Sequence, residues 1–221
     1  MAWSGNGVTW TGIDTTSTFG ASNISGIAWG GGKFVAVGEG GHMAWSTGGE
    51  TWTGINGAVS TFGASNIDGI AWGGGKFVAV GQNGRMAWSD DGEMWTGING
   101  AASTFGYSHI DGIAWGGGKF VAVGHDGHMA WSGNGVTWTG IDGTASIFGI
   151  YPIYGIAWGG GKFVAVGWGG TMAWSGNGET WAGIDGTAST FGISTIYGIA
   201  YGGGKFVAAG EGGKMAWHEY P

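Results

Sequence analysis

The tripeptide Met-Ala-Trp begins at Met1, Met43, Met86, Met129, Met172 and Met215, a spacing of 42 residues and then 43 four times over. Self-similarity at that period constrains the fold more than any local propensity, because one repeat of this size is a supersecondary unit that buries its apolar face only against its neighbours. Each cycle reads Ile-x-Gly-Ile-Ala-Trp-Gly-Gly-Gly-Lys-Phe-Val-Ala-Val-Gly, a short variable patch, Met-Ala-Trp-Ser, a Gly turn, Thr-Trp-Thr-Gly-Ile and a Thr/Ser-rich connection, with small departures. No composition shift marks a linker, so residues 1–221 are expected to form a single domain.

Within a cycle the apolar runs are four to six residues long and bounded by glycine, too short for helices and rich in β-branched and aromatic residues. Asn6-Gly7, Asp91-Gly92, Asn134-Gly135 and Asn177-Gly178 are hairpin dipeptides, in which positive φ costs little. Four strands per cycle result: a (26–30), b (33–38), c (42–46) and d (50–55), with equivalents 43 residues on. Four antiparallel strands in some 40–50 residues, with a tryptophan signature, describe a β-propeller blade. The predicted fold is therefore all-β, a five-bladed β-propeller with blades near 24–56, 67–99, 110–142, 153–185, and 196–217 joined by 1–14. In strands a and c the large side chains share one face and Ala or Gly the other, so bulk nests into hollow where blades stack. The rungs of a β-solenoid are shorter and need no such hairpins.

Five cycles are complete before Met215, so Met1–Trp3 and Met215–Trp217 compete for strand c of the last blade. The N-terminal hairpin, which keeps the c–d turn, is expected to supply c and d to the blade begun at Ile196. In the other arrangement Trp217 provides strand c. Either way the ring is expected to close through its termini, removing an exposed sheet edge.

Glycine makes up 56 of 221 residues, about a quarter against a usual ~7%. With 43% hydrophobic and 14% aromatic residues this is neither collagen nor a disordered linker. Seven basic and 14 acidic residues give a net charge of −7, which argues against nucleic acid as a partner. No apolar run approaches a membrane span and no charged-then-apolar leader opens the chain, so a soluble protein with no membrane insertion is expected. There is no cysteine for disulfides or thiolate metal sites.

The c–d turns carry a family resemblance. Ser4-Gly-Asn-Gly-Val-Thr9-Trp10, Ser46-Thr-Gly-Gly-Glu-Thr51-Trp52, Ser89-Asp-Asp-Gly-Glu-Met-Trp95, Ser132-Gly-Asn-Gly-Val-Thr137-Trp138 and Ser175-Gly-Asn-Gly-Glu-Thr180-Trp181 resemble the Asp-box, or bacterial neuraminidase repeat, a hairpin between the outer strands of a propeller blade. The turn here is one residue shorter, and only Asp91 keeps the acid. The blade count and Trp-rich repeat are also similar to tachylectin-type propeller lectins, an analogy of architecture. Sialidases of the Asp-box group hold their substrate with three arginines; this chain has one, Arg85, so that activity is excluded.

Comparing the five repeats separates framework from variation. All ten Phe occupy two repeat positions, and 15 of the 16 Trp occupy three, which marks them as packing. Differences concentrate in the b–c turns (Glu39 to His42, Gln82 to Arg85, His125 to His128, Trp168 to Thr171, Glu211 to Lys214) and just before strand a (Ala21 to Ser25, Ala64 to Asp68, Tyr107 to Asp111, Ile150 to Tyr154, Ile193 to Tyr197). In an up-and-down blade both connections emerge at one end, so the variable residues share one rim, as a recognition surface would. Trp168, Tyr107, Tyr151, Tyr154 and Tyr197 are candidate stacking residues there, and Glu39, Gln82, Asn83, Arg85, His125, Asp126 and Glu211 candidate polar contacts. Such a set suits glycans or another protein.

Three motifs look like chemistry and read more simply as structure. In His125-Asp126-Gly127-His128 the two histidines flank a turn with no third ligand nearby, so no metal is expected. Gly30-Gly31-Gly32-Lys33 lacks the spacing and following Ser/Thr of a phosphate loop and recurs in every repeat, as a hairpin turn does. A ring of these five lysines near one channel mouth is a lesser alternative, able to hold an anion. No carboxylate pair or nucleophile–base set stands out, so no enzyme activity and no cofactor are expected. The reading is a lectin-like binding module, the alternatives being a symmetric scaffold, designed or recently amplified, without a specific ligand, or a protein-interaction platform. A monomer is expected, with self-assembly through Trp168 and the tyrosines as the other possibility.

Overall fold

In the a–b hairpin, Trp29 pairs with Phe34 and Gly30 with Lys33, and the two residues between, Gly31 and Gly32, have φ of 55° and 78°. Two consecutive positive φ values give the tight turn whose twist matches the flanking strands, a conformation natural to glycine. The same hairpin recurs in every repeat, and around it the computed structural model builds a series of antiparallel sheets. Residues 1–55, 59–98, 102–184 and 190–219 are described; positions 56, 99 and 185, at the outer ends of three expected blades, lie outside them.

A two-stranded hairpin, β1 (Ala2–Trp3) and β2 (Thr11–Gly12), comes first. The first blade follows, with β3 (Ile24–Gly30), β4 (Lys33–Gly38), β5 (Met43–Ser46) and β6 (Thr53–Gly54). The second contains β7 (Ile67–Gly73), β8 (Lys76–Gly81), β9 (Met86–Ser89) and β10 (Thr96–Gly97). The third contains β11 (Ile110–Gly116), β12 (Lys119–Gly124), β13 (Met129–Ser132) and β14 (Thr139–Gly140). The fourth contains β15 (Ile153–Gly159), β16 (Lys162–Gly167), β17 (Met172–Ser175) and β18 (Ala182–Ile184). The last has three strands, β19 (Ile196–Gly202), β20 (Lys205–Gly210) and β21 (Met215–Glu219). Each strand pairs with its sequence neighbour.

Strand b has the expected bounds, but strand d shrinks to two or three residues. The c–d turn explains this: Gly135 N–H bonds the Ser132 hydroxyl at 2.8 Å, while Val136 and Thr137 N–H both bond Asn134 Oδ1 at 2.9 Å. Those groups are taken by the turn and are lost to the ladder. Three of the Thr/Ser-rich d–a connections contain single helical turns, α1 (Val59–Phe62), α2 (Ala102–Phe105) and α3 (Ala145–Phe148), each ending on a buried Phe. None of the described helices is long and apolar enough to cross a membrane.

The core lies between sheets. Val35, Val37 and Met43 of the first blade pack with Phe62, Ile67, Phe77 and Ala79 of the second, and equivalent clusters follow. The inner strands β3, β7, β11, β15 and β19 lie side by side in that order. At each junction an indole rests on a glycine: a Cβ on Gly116 would fall 1.9 Å from Cγ of Trp158, and Gly30 and Gly73 meet Trp72 and Trp115 in the same way. Bulk nests into glycine as expected, and at the fourth junction Gly159 takes Tyr201.

Closure differs from the expectation. The N-terminal hairpin pairs with itself, Ala2 with Gly12 and Trp3 with Thr11, and supplies no strand to the last blade. Strand c of that blade is β21, paired with β20 from Lys205–Glu219 through Ala209–Met215. The reason is local: β21 follows β20 through one short turn, whereas recruiting the N-terminus means closing a loop of some 200 residues. Among the described residues, β3 and β19 lack the close packing that joins the other consecutive inner strands.

Candidate functional site

The two variable patches are joined by one backbone hydrogen bond per blade. The first N–H of the b–c turn donates to the carbonyl two residues before strand a's second position: Glu39 to Asn23, Gln82 to Asn66, His125 to His109, Trp168 to Pro152 and Glu211 to Thr195, at 2.8–3.0 Å. The glycine before each turn permits the approach; a Cβ on Gly124 would lie 2.0 Å from the His109 carbonyl oxygen. Both patches therefore occupy one rim. The c–d turns, at the other end of the strands, repeat the same Gly N–H to Ser hydroxyl bond at 2.8 Å in all five copies.

A β-bulge opens every inner strand. Ile110 pairs with Gly124 and Gly112 with Val123, leaving Asp111 unpaired between them; Ser25, Asp68, Tyr154 and Tyr197 are its counterparts. A bulge frees one residue from the ladder and re-aims its side chain. The bulge residues form a graded row across the rim, carboxylates on the second and third blades and phenols on the fourth and fifth.

At the centre of the row, Asp111 Oδ2 lies 3.4 Å from His125 Nε2. The imidazoles of His125 and His109 stack at 5.0 Å with an interplanar angle of 29°. Burial pushes the Asp111 carboxyl up to about 7, the Asp68 charge adds to this, and His109 opposes it. Asp68 is raised by burial against the opposing pull of His109 and His125. The Tyr154 ring stands edge-on to His125 at 6.5 Å and packs on Tyr197 at 5.7 Å; burial and the charge of Asp111 raise its phenol.

The expected stacking residues fall into two groups and one outlier. Tyr151 and Trp168 lie nearly parallel, 13° apart with centroids at 6.2 Å, and are 53% and 49% exposed. Tyr154 and Tyr197 make the second group. Tyr107 is 89% exposed and joins neither.

Most of the expected polar contacts bind their own rim. Glu39 accepts from the Asn23 amide at 2.8 Å, which holds its carboxyl below the usual range. Gln82 accepts from Asn66 N–H, and Glu211 from Thr195 N–H, each at 3.3 Å. Asn83 donates to the Ser65 hydroxyl at 3.0 Å, Arg85 to the Thr61 carbonyl at 2.7 Å, and Asp126 accepts from Ser108. The b–c turn needs a positive φ at its second residue, and Asn83 (58°) and Asp126 (57°) are side chains that tolerate it.

His125 does have further candidate ligands nearby, but they come from the neighbouring loop and strand, His109 and Asp111, and not from His128, whose ring packs edge-on against Phe105. Reading along the chain missed them; aligning the repeats puts all three in the variable columns. The five lysines do not form an anion ring. Each ammonium sits 4.5–5.0 Å over the strand-c indole of its own blade, and Lys33, Lys76 and Lys119 also pair with Glu93, Asp90 and Glu179.

No protein-family model matches the chain, and no curated protein does. Solved structures share its fold. YCF48 bound to D1 peptide superposes with a TM-score of 0.65 at 17% identity, over 91% of this chain and 64% of that one. The computationally designed Ika8 protein gives 0.66 at 14%, over 90% and 58%. The nidogen/laminin complex gives 0.59 at 14%, over 86% and 73%. The chain thus spans less than two thirds of the first two, and the likeness shows a β-propeller fold.

Proposed function

We propose that the chain is a non-enzymatic binding module that takes its ligand on the variable rim. One observation carries this reading: a backbone hydrogen bond kept within 0.2 Å in five copies presents five different sets of side chains, while the opposite rim repeats itself. Variation on a rigid frame, confined to one face, is the pattern of recognition loops on a scaffold.

The parallel Tyr151–Trp168 pair and Tyr197 offer exposed ring faces, and the half-buried Tyr154 that packs on Tyr197 lies near Asp111. Such faces stack on the C–H side of a sugar while carboxylates and amides take its hydroxyls, which is the lectin-like reading. The Asp-box resemblance supports that reading through its architecture, since Asn134 and Asp91 make the same turn-closing bonds. A protein segment is the second reading, favoured by neighbours whose solved structures contain a peptide or a protein partner. A scaffold without a ligand accords with the designed neighbour.

Immobilised glycans and a synthetic peptide library, probed with the parent and with Trp168→Ala, separate the three. Sugar binding weakened roughly 30-fold by Trp168→Ala, the scale of a binding hot spot, supports the lectin; peptide binding with the same loss supports the protein-segment reading. Binding to neither, or binding indifferent to Trp168→Ala and Tyr197→Ala alike, overturns recognition on this rim.

A further inference from the structure

We propose that His109, Asp111 and His125 form a binding site for a late first-row divalent metal ion, with zinc as the natural probe. The three residues come from the end of the d–a loop, the bulge of β11 and the first position of the b–c turn. One ligand atom from each lies within 4.8 Å of the others. Two nitrogens and a carboxylate oxygen are a donor set that zinc and its neighbours take.

Asp111 and His125 already stand as ligands of one ion would. At metal–ligand distances of about 2.0–2.2 Å, two ligands of a tetrahedral ion are about 3.4 Å apart; Asp111 Oδ2 and His125 Nε2 are 3.4 Å apart. That same carboxylate oxygen is buried and has no hydrogen-bond partner. A buried acceptor left without a donor costs stability unless something electropositive meets it. The His109 carbonyl accepts from His125 N–H at 2.9 Å, which fixes the two histidines side by side.

The repeat supplies an internal control. The same three columns read Asn23, Ser25, Glu39 in the first blade; Asn66, Asp68, Gln82 in the second; Pro152, Tyr154, Trp168 in the fourth; and Thr195, Tyr197, Glu211 in the last. The fold brings the first and third columns together in other blades as well, as the bonds from the Asn23 amide to Glu39 and from Asn66 N–H to Gln82 attest. Only the third blade fills all three with metal-ligating side chains. The second has the bulge aspartate and lacks the two histidines. A protein ligand count of three leaves at least one coordination position for water or a rim ligand.

Calorimetric titration of the metal-free chain with zinc chloride, with no sugar or peptide present, tests this apart from the rim's other ligands. The expected result is one zinc per chain. His109→Ala or His125→Ala should weaken binding by more than about 100-fold, beyond what loss of an outer-shell partner does. His128→Ala, close by in sequence but packed on Phe105, should leave it unchanged. Circular dichroism melts without metal identify any variant that has merely unfolded. Introducing Asn66→His together with Gln82→His beside Asp68 should raise the stoichiometry to two. No zinc uptake at micromolar concentration, uptake indifferent to the two alanine variants, or a folded double variant that still binds one zinc each overturns the site.

Discussion

The junction between the third and fourth blades and the outer side of the last blade are written in nearly the same residues, yet one is a packed core and the other meets solvent. At the junction, Trp158 lies on Gly116 and Gly117, and the c–d turn glycine Gly178 rests on Val121. On the last blade, Gly198, Gly202 and Gly203 have nothing within 4 Å of a built Cβ. At the other end, Trp29, the counterpart of Trp158, is 53% exposed. The difference teaches that a repeat of this kind carries no burial of its own: each sheet presents a knob on one side and a hollow on the other, and the neighbour alone decides whether either contributes to stability.

Mutating the same column in the two places should therefore give unequal results. Trp115→Ala removes an indole that fills the Gly73 hollow and is expected to cost about 3 kcal/mol, as large-to-small core changes do, a fall in Tm of roughly 6–12 °C. Trp29→Ala, whose ring keeps only its own-blade packing on Phe34 at 4.4 Å, should cost about 1 kcal/mol or less. Equal losses in denaturant titrations would break the distinction between interior and end.

Lys119→Met probes the junction more gently. Its ammonium covers Trp131 at 4.5 Å and reaches Glu179 on the next blade, whereas Lys205 covers Trp217 at 4.5 Å and pairs within its own blade with Glu219 at 3.5 Å. Partly exposed pairs of this sort are worth about 1 kcal/mol or less. Charge reversal at Glu179 together with Lys119 should recover the ion pair but not the contact with the Trp131 ring, and a double-mutant cycle reads the coupling across the junction.

The smallest effect concerns acid. Asp91 is opposed by slight burial, but N–H groups of Met94 and Glu93, the Ser89 hydroxyl and the Lys33 charge together hold its carboxyl below the usual range. A depressed pKa in the folded state means stability present above the unfolded value of about 3.9 and lost as pH falls through the folded one. Asp91→Asn, which copies the Asn134 turn of the next blade, should remove that dependence below about pH 4 in urea melts and change little at pH 7. An unchanged acid limb in the variant would show that Asp91 does not contribute to it.

How far the sequence could be read follows from where the determinants lie. Strand b, Lys33–Gly38, is legible to the residue because a glycine pair bounds one end and a turn the other. Strand d is not, since Ser132 and Asn134 claim the backbone donors that would extend it. The one-turn helices that end on Phe62, Phe105 and Phe148 carry no apolar periodicity. The shared rim follows from topology, and so did the location of Trp168, Tyr154 and Tyr197. The His109–Asp111–His125 set did not, because a bulge displaces one residue of a strand without a local signature and the third member lies 14 residues beyond Asp111. The source of strand c in the last blade was open for a similar reason: two near-identical strands competed, and chain connectivity decided between them.

Thermal melts of Gly116→Ala and Gly202→Ala, made in parallel, test the knob-and-glycine packing most directly. A methyl on Gly116 collides with Trp158 and should lower stability by about 2–3 kcal/mol, as overpacking does. On Gly202 it meets nothing, and the gain in strand propensity should leave the protein neutral or up to about 1 kcal/mol more stable. A Gly116→Ala variant as stable as its parent, or a Gly202→Ala variant as damaged as Gly116→Ala, would contradict this picture of the blades.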